Sequence, residues 1–264
     1  MVAIKVVMSD VDGTILNFHH QISNNLKNEV KKLTAKGIPF VLASARSPEG
    51  MKQISRELAL ESVPLVAFNG ALILKEATTI FTKPLEKYEV MRILTLLAAH
   101  FPNIGINLYS ENNWYVNKVD EHIKGESKIT QLTPKVADLA SLVATVPVHK
   151  LLLIASEAEI SAAYEFLTPQ VTTSALYLSK ENYLEITHRA VSKAEALRKI
   201  AAYYQITCRE IMAFGDNYND LPMLKAAGIG IAMANAPLAV KKAADKVTKT
   251  NDEDGVASVL AKLQ

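Results

Sequence analysis

The heptapeptide SDVDGTI, residues 9–15, places two carboxylates one residue apart, directly after the apolar run AIKVVM at 3–8. An Asp-Gly pair is a common turn signal, and aspartate tolerates turn geometry. Read alone, the stretch is compatible with a plain loop start, so its surroundings decide. AIKVVM has the length and β-branched content of a buried strand. In SNNLKNEVKKLTAKG, Leu26, Val30 and Leu33 recur at helical spacing, with Ser23 as N-cap and Gly37 as the stop. PFVLAS reads as a second buried strand. SPEGMKQISREL opens a helix with Ser47 as cap and Pro48 at its first position, and PLVAF is a third strand. This βαβαβ alternation predicts a parallel sheet covered by helices.

After Phe68 the texture changes. NGALILKEATTIFTKPL holds Asn69-Gly70 and two extended stretches, as a β-hairpin would. From about Glu86 to Thr187 a helix (EKYEVMRILTLLAAH) leads to strand-like GINLYS, NWYVN, VHKLLLIA, TTSALYLS and NYLEIT, with the helix EAEISAAYEFL among them. A segment of that size with its own apolar faces is a second domain. The first texture then resumes: SKAEALRKIAAYY is an amphipathic helix, REIMAFGD a fourth buried strand, LPMLKAAG a short helix and IGIAM a fifth strand. The expected architecture is α/β, a doubly wound and mainly parallel sheet formed by 1–85 and 188–264, interrupted by an α+β domain at 86–187.

Bulk properties narrow the functional classes. The chain has 264 residues, a formal charge of +2 and no basic stripe or acidic tail, which argues against a nucleic-acid partner. One cysteine, Cys208, precludes an internal disulfide and a cysteine-rich metal centre. The N-terminus lacks the pattern of a secretory signal, and no apolar run approaches the roughly 18 residues of a membrane helix. A cytoplasmic protein without a membrane partner is expected.

The polar residues have a common address. Asp10 and Asp12 follow strand one, Ser44 strand two, Asn69 strand three, and Asp216, Asn219 and Asp220 strand four. The carboxyl ends of parallel strands form the ligand crevice of an open sheet. Each residue has a dull reading by itself, as a cap, a turn residue or a polar loop; four strands delivering polar groups to one edge favours a site. At least three carboxylates would crowd there and repel one another without a cation. Oxygen ligands without His or Cys suit a hard divalent ion, for which Mg²⁺ is the cellular default. Lys193, heading the helix that returns to the core, is the natural counter-charge for an anionic substrate; an exposed helix lysine is the alternative.

DVDGT at 10–14, Ser44, Lys193 and GDNYND at 215–220 resemble the four motifs of the haloacid dehalogenase superfamily, most nearly its Cof-type phosphatase branch. The resemblance spans essentially the whole chain and implies a Rossmann-like core with an inserted cap of the C2, class IIB type. Two positions depart from the usual pattern: Ser44-Ala45-Arg46 stands for Thr/Ser-Gly-Arg, and Ser192-Lys193-Ala194 for Ser-Lys-Gly. The resemblance implies Mg²⁺-dependent hydrolysis of small phosphate monoesters, such as sugar phosphates. Asp10 would be the nucleophile, giving an aspartyl-phosphate, and Asp12 the general acid and base. The metal would be held by Asp10, Asp216 and the Asp12 backbone carbonyl. Ser44, Asn219, Lys193 and the backbone at Val11 and Ala45 would bind phosphoryl oxygens. Thr14, Asn69 and Asp220 would support them, Asp220 by holding a metal-bound water or orienting Lys193.

The implied partner is a small phosphorylated metabolite, the implied assembly a monomer or homodimer. The insert would act as a lid. Lys180, Glu181, Asn182 and His188 flank its last strands, and His19 and His20 follow the first motif; all read more simply as solvated loop residues. Trp114 and Tyr115 read as packing residues of the insert. Three rival functions remain open from sequence: a phosphotransferase or phosphomutase on the same scaffold, an inactive binding protein, and a phospho-acceptor signalling domain. The last lacks a paired Asp-x-Asp and a hundred-residue insert.

Overall fold

The apolar runs become strands because their residues are covered on both faces. In the computed structural model, which describes residues 2–263, the strands in chain order are β1 (Val6–Ser9), β2 (Phe40–Ala43), β3 (Leu65–Ala67), β4 (Leu72–Lys75), β5 (Thr78–Thr82), β6 (Gly105–Ser110), β7 (Asn113–Val116), β8 (Lys135–Val136), β9 (Lys150–Ile154), β10 (Ser174–Lys180), β11 (Tyr183–His188), β12 (Ile211–Gly215), β13 (Ile229–Ala232) and β14 (Lys246–Val247). The described residues form two compact units. One comprises the chain up to Arg46, Met51–Phe81 and the part from Ser192 onward; the other comprises Ser47–Gly50 and Thr82–Val191.

The first unit is built on an eight-stranded sheet, ordered β14-β13-β12-β1-β2-β3-β4-β5. It is parallel from β14 to β3, and β4 runs antiparallel to β3. Val6 and Met8 face one side, where they pack with Val41, Ala43, Ile211 and Ala213 against Leu197 and Ile200 of the helix Lys193–Tyr203. Val7, Phe40, Leu42 and Phe214 are buried too. A sheet covered on both faces needs continuous apolar runs, which is why alternation is missing from these strands.

Register aligns the strand ends. Ser9 lies opposite Leu42 of β2 and Phe214 of β12. Asp10, Ala43-Ser44 and Gly215-Asp216 therefore leave the sheet along one edge. Local signals set the flanking helices. Ser23 caps Asn24–Ala35 through the Leu26 amide (3.0 Å), and Gly37 closes it at φ +77°. The Ser47 hydroxyl accepts from Gly50 N at 3.1 Å at the head of Pro48–Glu57. Ser192 caps Lys193–Tyr203, accepting from Glu195 N at 3.1 Å. That cap fixes Lys193 as the first helical residue, the position where a side chain reaches back toward the sheet edge.

The second unit has a six-stranded sheet, ordered β10-β11-β9-β6-β7-β8. Strands β6, β9 and β11 are buried at every position, with successive residues facing opposite sides of the sheet. Ile106 and Leu108 of β6, Leu151 and Leu153 of β9, and Leu184 and Ile186 of β11 pack on Val90, Ile93 and Leu97 of the helix Lys87–His100. Tyr115 joins that cluster. Trp114 is buried on the opposite face, stacked with Tyr109 (centroids 6.0 Å, 13°) and donating from Nε1 to Asn107 Oδ1 at 2.9 Å. The same face carries Lys150, Glu185 and Tyr177: Lys150 meets Glu185 at 3.4 Å, and the Tyr177 hydroxyl donates to Glu185 at 2.9 Å. This face satisfies its polar groups among themselves, so buried charge is tolerated.

Glu89, only 1% exposed, ties the helix Lys87–His100 to the start of β10. Its carboxylate accepts from the Thr172 amide (2.6 Å) and hydroxyl (3.1 Å), the Thr173 amide (3.1 Å) and hydroxyl (2.7 Å), and the Ser174 hydroxyl. Burial pushes the carboxyl's pKa up, but these donors outweigh it and hold the group at about 2, below the ordinary 4.5. A carboxylate depressed by folding stabilises above its unfolded pKa, and the contribution is lost as pH falls from 4.5 to about 2. A shift of that size corresponds to about 3 kcal/mol. Glu89→Gln is therefore expected to lower stability by about 2–3 kcal/mol at neutral pH and to flatten the acid limb between these pH values. Urea midpoints from pH 7 down to 3 check it; equal acid sensitivity in variant and wild type would contradict it.

Candidate active site

Asp10 extends β1 by one residue, and its amide donates to Phe214 O at 3.0 Å, so its backbone is part of the sheet edge. Val11 is fully buried, and its carbonyl accepts from the amides of Thr14, Ile15 and Leu16 (3.3, 3.0 and 3.1 Å). The chain thereby curls, with Gly13 at φ +78°. At the opposing loop, β12 ends in Gly215, followed by Asp216, and Asp220 starts the short helix Leu221–Ala226.

These loops bring three carboxylates together. Asp10, Asp216 and Asp220 each offer an oxygen within 4.8 Å of the others. Lys193 is 0% exposed, which excludes the exposed-lysine alternative, and its ammonium is hydrogen-bonded to both Asp10 and Asp220, the latter at 2.5 Å. Asp220 Oδ2 accepts from the amides of Asp216 and Asn217, both at 3.0 Å, while Oδ1 takes the ammonium. Asp220 thus orients both Lys193 and the Asp216 loop. Thr14, buried, donates from Oγ1 to Asp216 Oδ1 at 3.0 Å, fixing the carboxylate's rotation.

Three carboxylates against one ammonium leave a net negative nest. Burial and the neighbouring Asp220 raise the Asp10 pKa well above the ordinary 3.8. Burial and Asp220 likewise raise Asp216, to about 6, against the opposing bonds from Thr14 and Asp10. Burial works against the charge on Lys193, yet Asp10 and Asp220 more than offset it and hold its pKa above 10.5. The donor set, all carboxylate oxygen, suits a hard divalent cation that would relieve this excess. The space is shaped for it: a Cβ at Gly13 would stand 2.4 Å from Asp216 Oδ2, and one at Gly215 2.4 Å from the Asp220 Cβ.

The remaining expected residues gather at the same edge in two further groups. Ser44, 1% exposed, donates its amide to Val66 O (3.0 Å) and accepts at its carbonyl from Asn69 N (2.8 Å). Asn69 and Phe68 both have positive φ, 56° and 51°, in the three-residue turn Phe68–Gly70 that ends β3. The Asn69 side chain accepts from Asn219 Nδ2 at 3.1 Å, linking the loops after β3 and β12. Asp12 is directed elsewhere: its carboxylate, 46% exposed, takes a two-point ion pair from Arg46, two residues beyond Ser44 and adjacent to Ala45. Arg46 lay in the quoted motif without a role. Asn235 and Asn251 were also missed in sequence; they donate to Gly13 O and Leu16 O, both at 2.8 Å, and brace the curl. Their only sequence signal was a polar loop late in the chain.

A family model described as haloacid dehalogenase-like hydrolase matches residues 7–260. The chain belongs to the haloacid dehalogenase family. Among relatives, a Haemophilus influenzae protein named "Putative phosphatase" is 39% identical over 97% of each chain. A 5-amino-6-(5-phospho-D-ribitylamino)uracil phosphatase of Bacillus subtilis is 28% identical, over 97% of this chain and 96% of its own. The crystal structure of a haloacid dehalogenase-like hydrolase from Bacteroides thetaiotaomicron superposes with a TM-score of 0.91 at 27% identity, covering 99% of this chain and 100% of that one. The haloacid dehalogenase fold is thus present throughout, and the chain is an enzyme of that family, a phosphatase. No helix among the described residues is long and apolar enough to cross a membrane.

Proposed function

We propose that the protein is a Mg²⁺-dependent phosphatase that hydrolyses small phosphate monoesters, sugar or polyol phosphates among them, through an aspartyl-phosphate on Asp10. The observation that carries this reading is the nest itself: Asp10, Asp216 and Asp220 around the buried Lys193 ammonium. Asp10 Oδ attacks phosphorus as the ester oxygen leaves, forming an acyl-phosphate and an alkoxide. Asp12 gives the alkoxide its proton, then removes one from the water that cleaves the acyl-phosphate. Lys193, the Ser44 hydroxyl, the Asn219 amide and the backbone at Val11 and Ala45 bind phosphoryl oxygens. Thr14, Asn69 and Asp220 hold Asp216, Asn219 and Lys193 in place. Asp10, Asp216 and the Asp12 carbonyl would hold the metal, which when bound offsets charge on the carboxylates and the transferring group.

In this reading residues 1–85 and 188–264 carry the chemistry, and 86–187 form the inserted α+β domain. The named activity of the Bacillus subtilis relative toward a phosphorylated ribityl compound supports the polyol-phosphate class. Phosphate release from a panel of sugar, polyol and nucleotide monoesters, ranked by kcat/KM, tests it. EDTA should silence turnover and Mg²⁺ restore it; metal-independent hydrolysis would defeat the reading.

Asp216→Asn separates metal from chemistry. One fewer charge in a crowded nest should raise the melting point of the metal-free protein, while the Mg²⁺ needed for half-activation rises by about 10-fold or more. Calorimetric titration with Mg²⁺ provides a second readout. Unchanged Mg²⁺ affinity would remove Asp216 from the ligand set.

A further inference from the structure

Arg46 and Asp12 form a two-point ion pair beside the acidic nest. Arg46 Nε donates to Asp12 Oδ2 at 2.8 Å and Nη2 to Oδ1 at 2.6 Å, across 34 residues of sequence. The backbone beneath the guanidinium is fixed. The Arg46 amide donates to the Ser44 hydroxyl at 3.2 Å, and its carbonyl accepts from Phe68 N at 3.0 Å. The arginine is therefore anchored to the ends of both β2 and β3. Asp12 sits in the curl after β1 with its carboxylate 46% exposed. An exposed aspartate otherwise samples several rotamers. An exposed ion pair adds little to folding stability, so a planar fork here acts on orientation. Arginine fits this use because its guanidinium sets both carboxylate oxygens in one plane, whereas an ammonium binds as a point charge.

We propose that Arg46 is a positioning residue for Asp12: it transmits the fixed geometry of the β2 and β3 ends to the carboxyl that exchanges a proton with the leaving group and with water. In the resting enzyme both oxygens are held. During turnover one oxygen is released to the reacting proton, while the contact to the other keeps the carboxyl in line. This rests on the acid–base role assigned to Asp12 above, and it gives Arg46 no contact with the substrate.

The test is a double-mutant cycle on the Mg²⁺-loaded enzyme, with Arg46→Met and Arg46→Lys made in the wild-type and Asp12→Asn backgrounds. Arg46→Met should lower kcat by about 10- to 100-fold, the scale of a misaligned catalytic group, with KM and the melting midpoint unchanged. Arg46→Lys should recover only part of the loss, because it cannot fork. In the Asp12→Asn background the Arg46→Met change should cost nothing further in kcat. Losses that multiply across the two sites, or a loss confined to KM, would overturn the inference while leaving the mechanism intact. An Asp12→Asn enzyme at the wild-type rate would instead overturn the acid–base assignment and the inference with it.

Discussion

Asp10→Asn is expected to reduce kcat by about 10⁴-fold or more, the range found when a nucleophile is removed from a cooperating catalytic set. The substitution is nearly isosteric, and an amide still accepts a hydrogen bond from the Lys193 ammonium, so the fold should persist. What it loses is the anionic oxygen that forms the bond to phosphorus. Because the amide cannot form the acyl-phosphate, the covalent adduct should vanish along with turnover. Two measurements check this together: steady-state phosphate release, and trapping of the phosphorylated chain in a rapid acid quench. A variant that keeps near wild-type rates, or still yields a labelled chain at residue 10, would show that another group attacks.

Lys193→Met should strike stability and activity at once. The ammonium is 0% exposed and lies between Asp10 and Asp220, with Asp216 in the same cluster. Methionine fills much of the same space but leaves the buried Asp10 and Asp220, and the half-buried Asp216 beside them, without a counter-charge. Removing one partner of a buried pair typically costs about 3–5 kcal/mol, and here no second ammonium from the described side chains bonds to Asp10. Metal-free Lys193→Met protein is therefore expected to unfold at markedly lower urea. Mg²⁺ should restore part of the midpoint by cancelling charge. It should not restore turnover, which also needs a cation on the phosphoryl oxygens. Unfolding at the wild-type midpoint in EDTA would mean that the nest is already neutral, and the charge argument would fail.

How much of this was legible in the sequence depended on distance along the chain. Strands of the first unit announced themselves because burial on both faces demands unbroken apolar runs, as in VVM of β1 and FVL of β2. The polar residues that follow them were readable as one group once parallel strands were inferred. Ser23 and Ser47 were legible as caps because capping acts over three residues. The helices Glu121–Thr130 and Leu139–Thr145 and the two-residue strands β8 and β14 were not marked out: they bury few residues, and tertiary contacts hold them more than local preference does. The donors around Glu89 lie more than 80 residues away from it, and Arg46 and Asp12 are 34 apart. No local pattern encodes such pairs. Trp114 had the expected burial, but only the pleat showed that it faces away from the main cluster of its unit.

Gly13 and Gly215 each stand against an aspartate, with the volume of a missing methyl occupied by Asp216 and Asp220 respectively. Neither glycine bears a side chain that could meet a ligand, yet alanine at either would evict a carboxylate from the nest. In a saturation screen both should therefore score as intolerant as the acidic residues. Glycine and aspartate are complementary halves of one steric fit here, so a change that reshapes the acidic cluster must pass through both halves together.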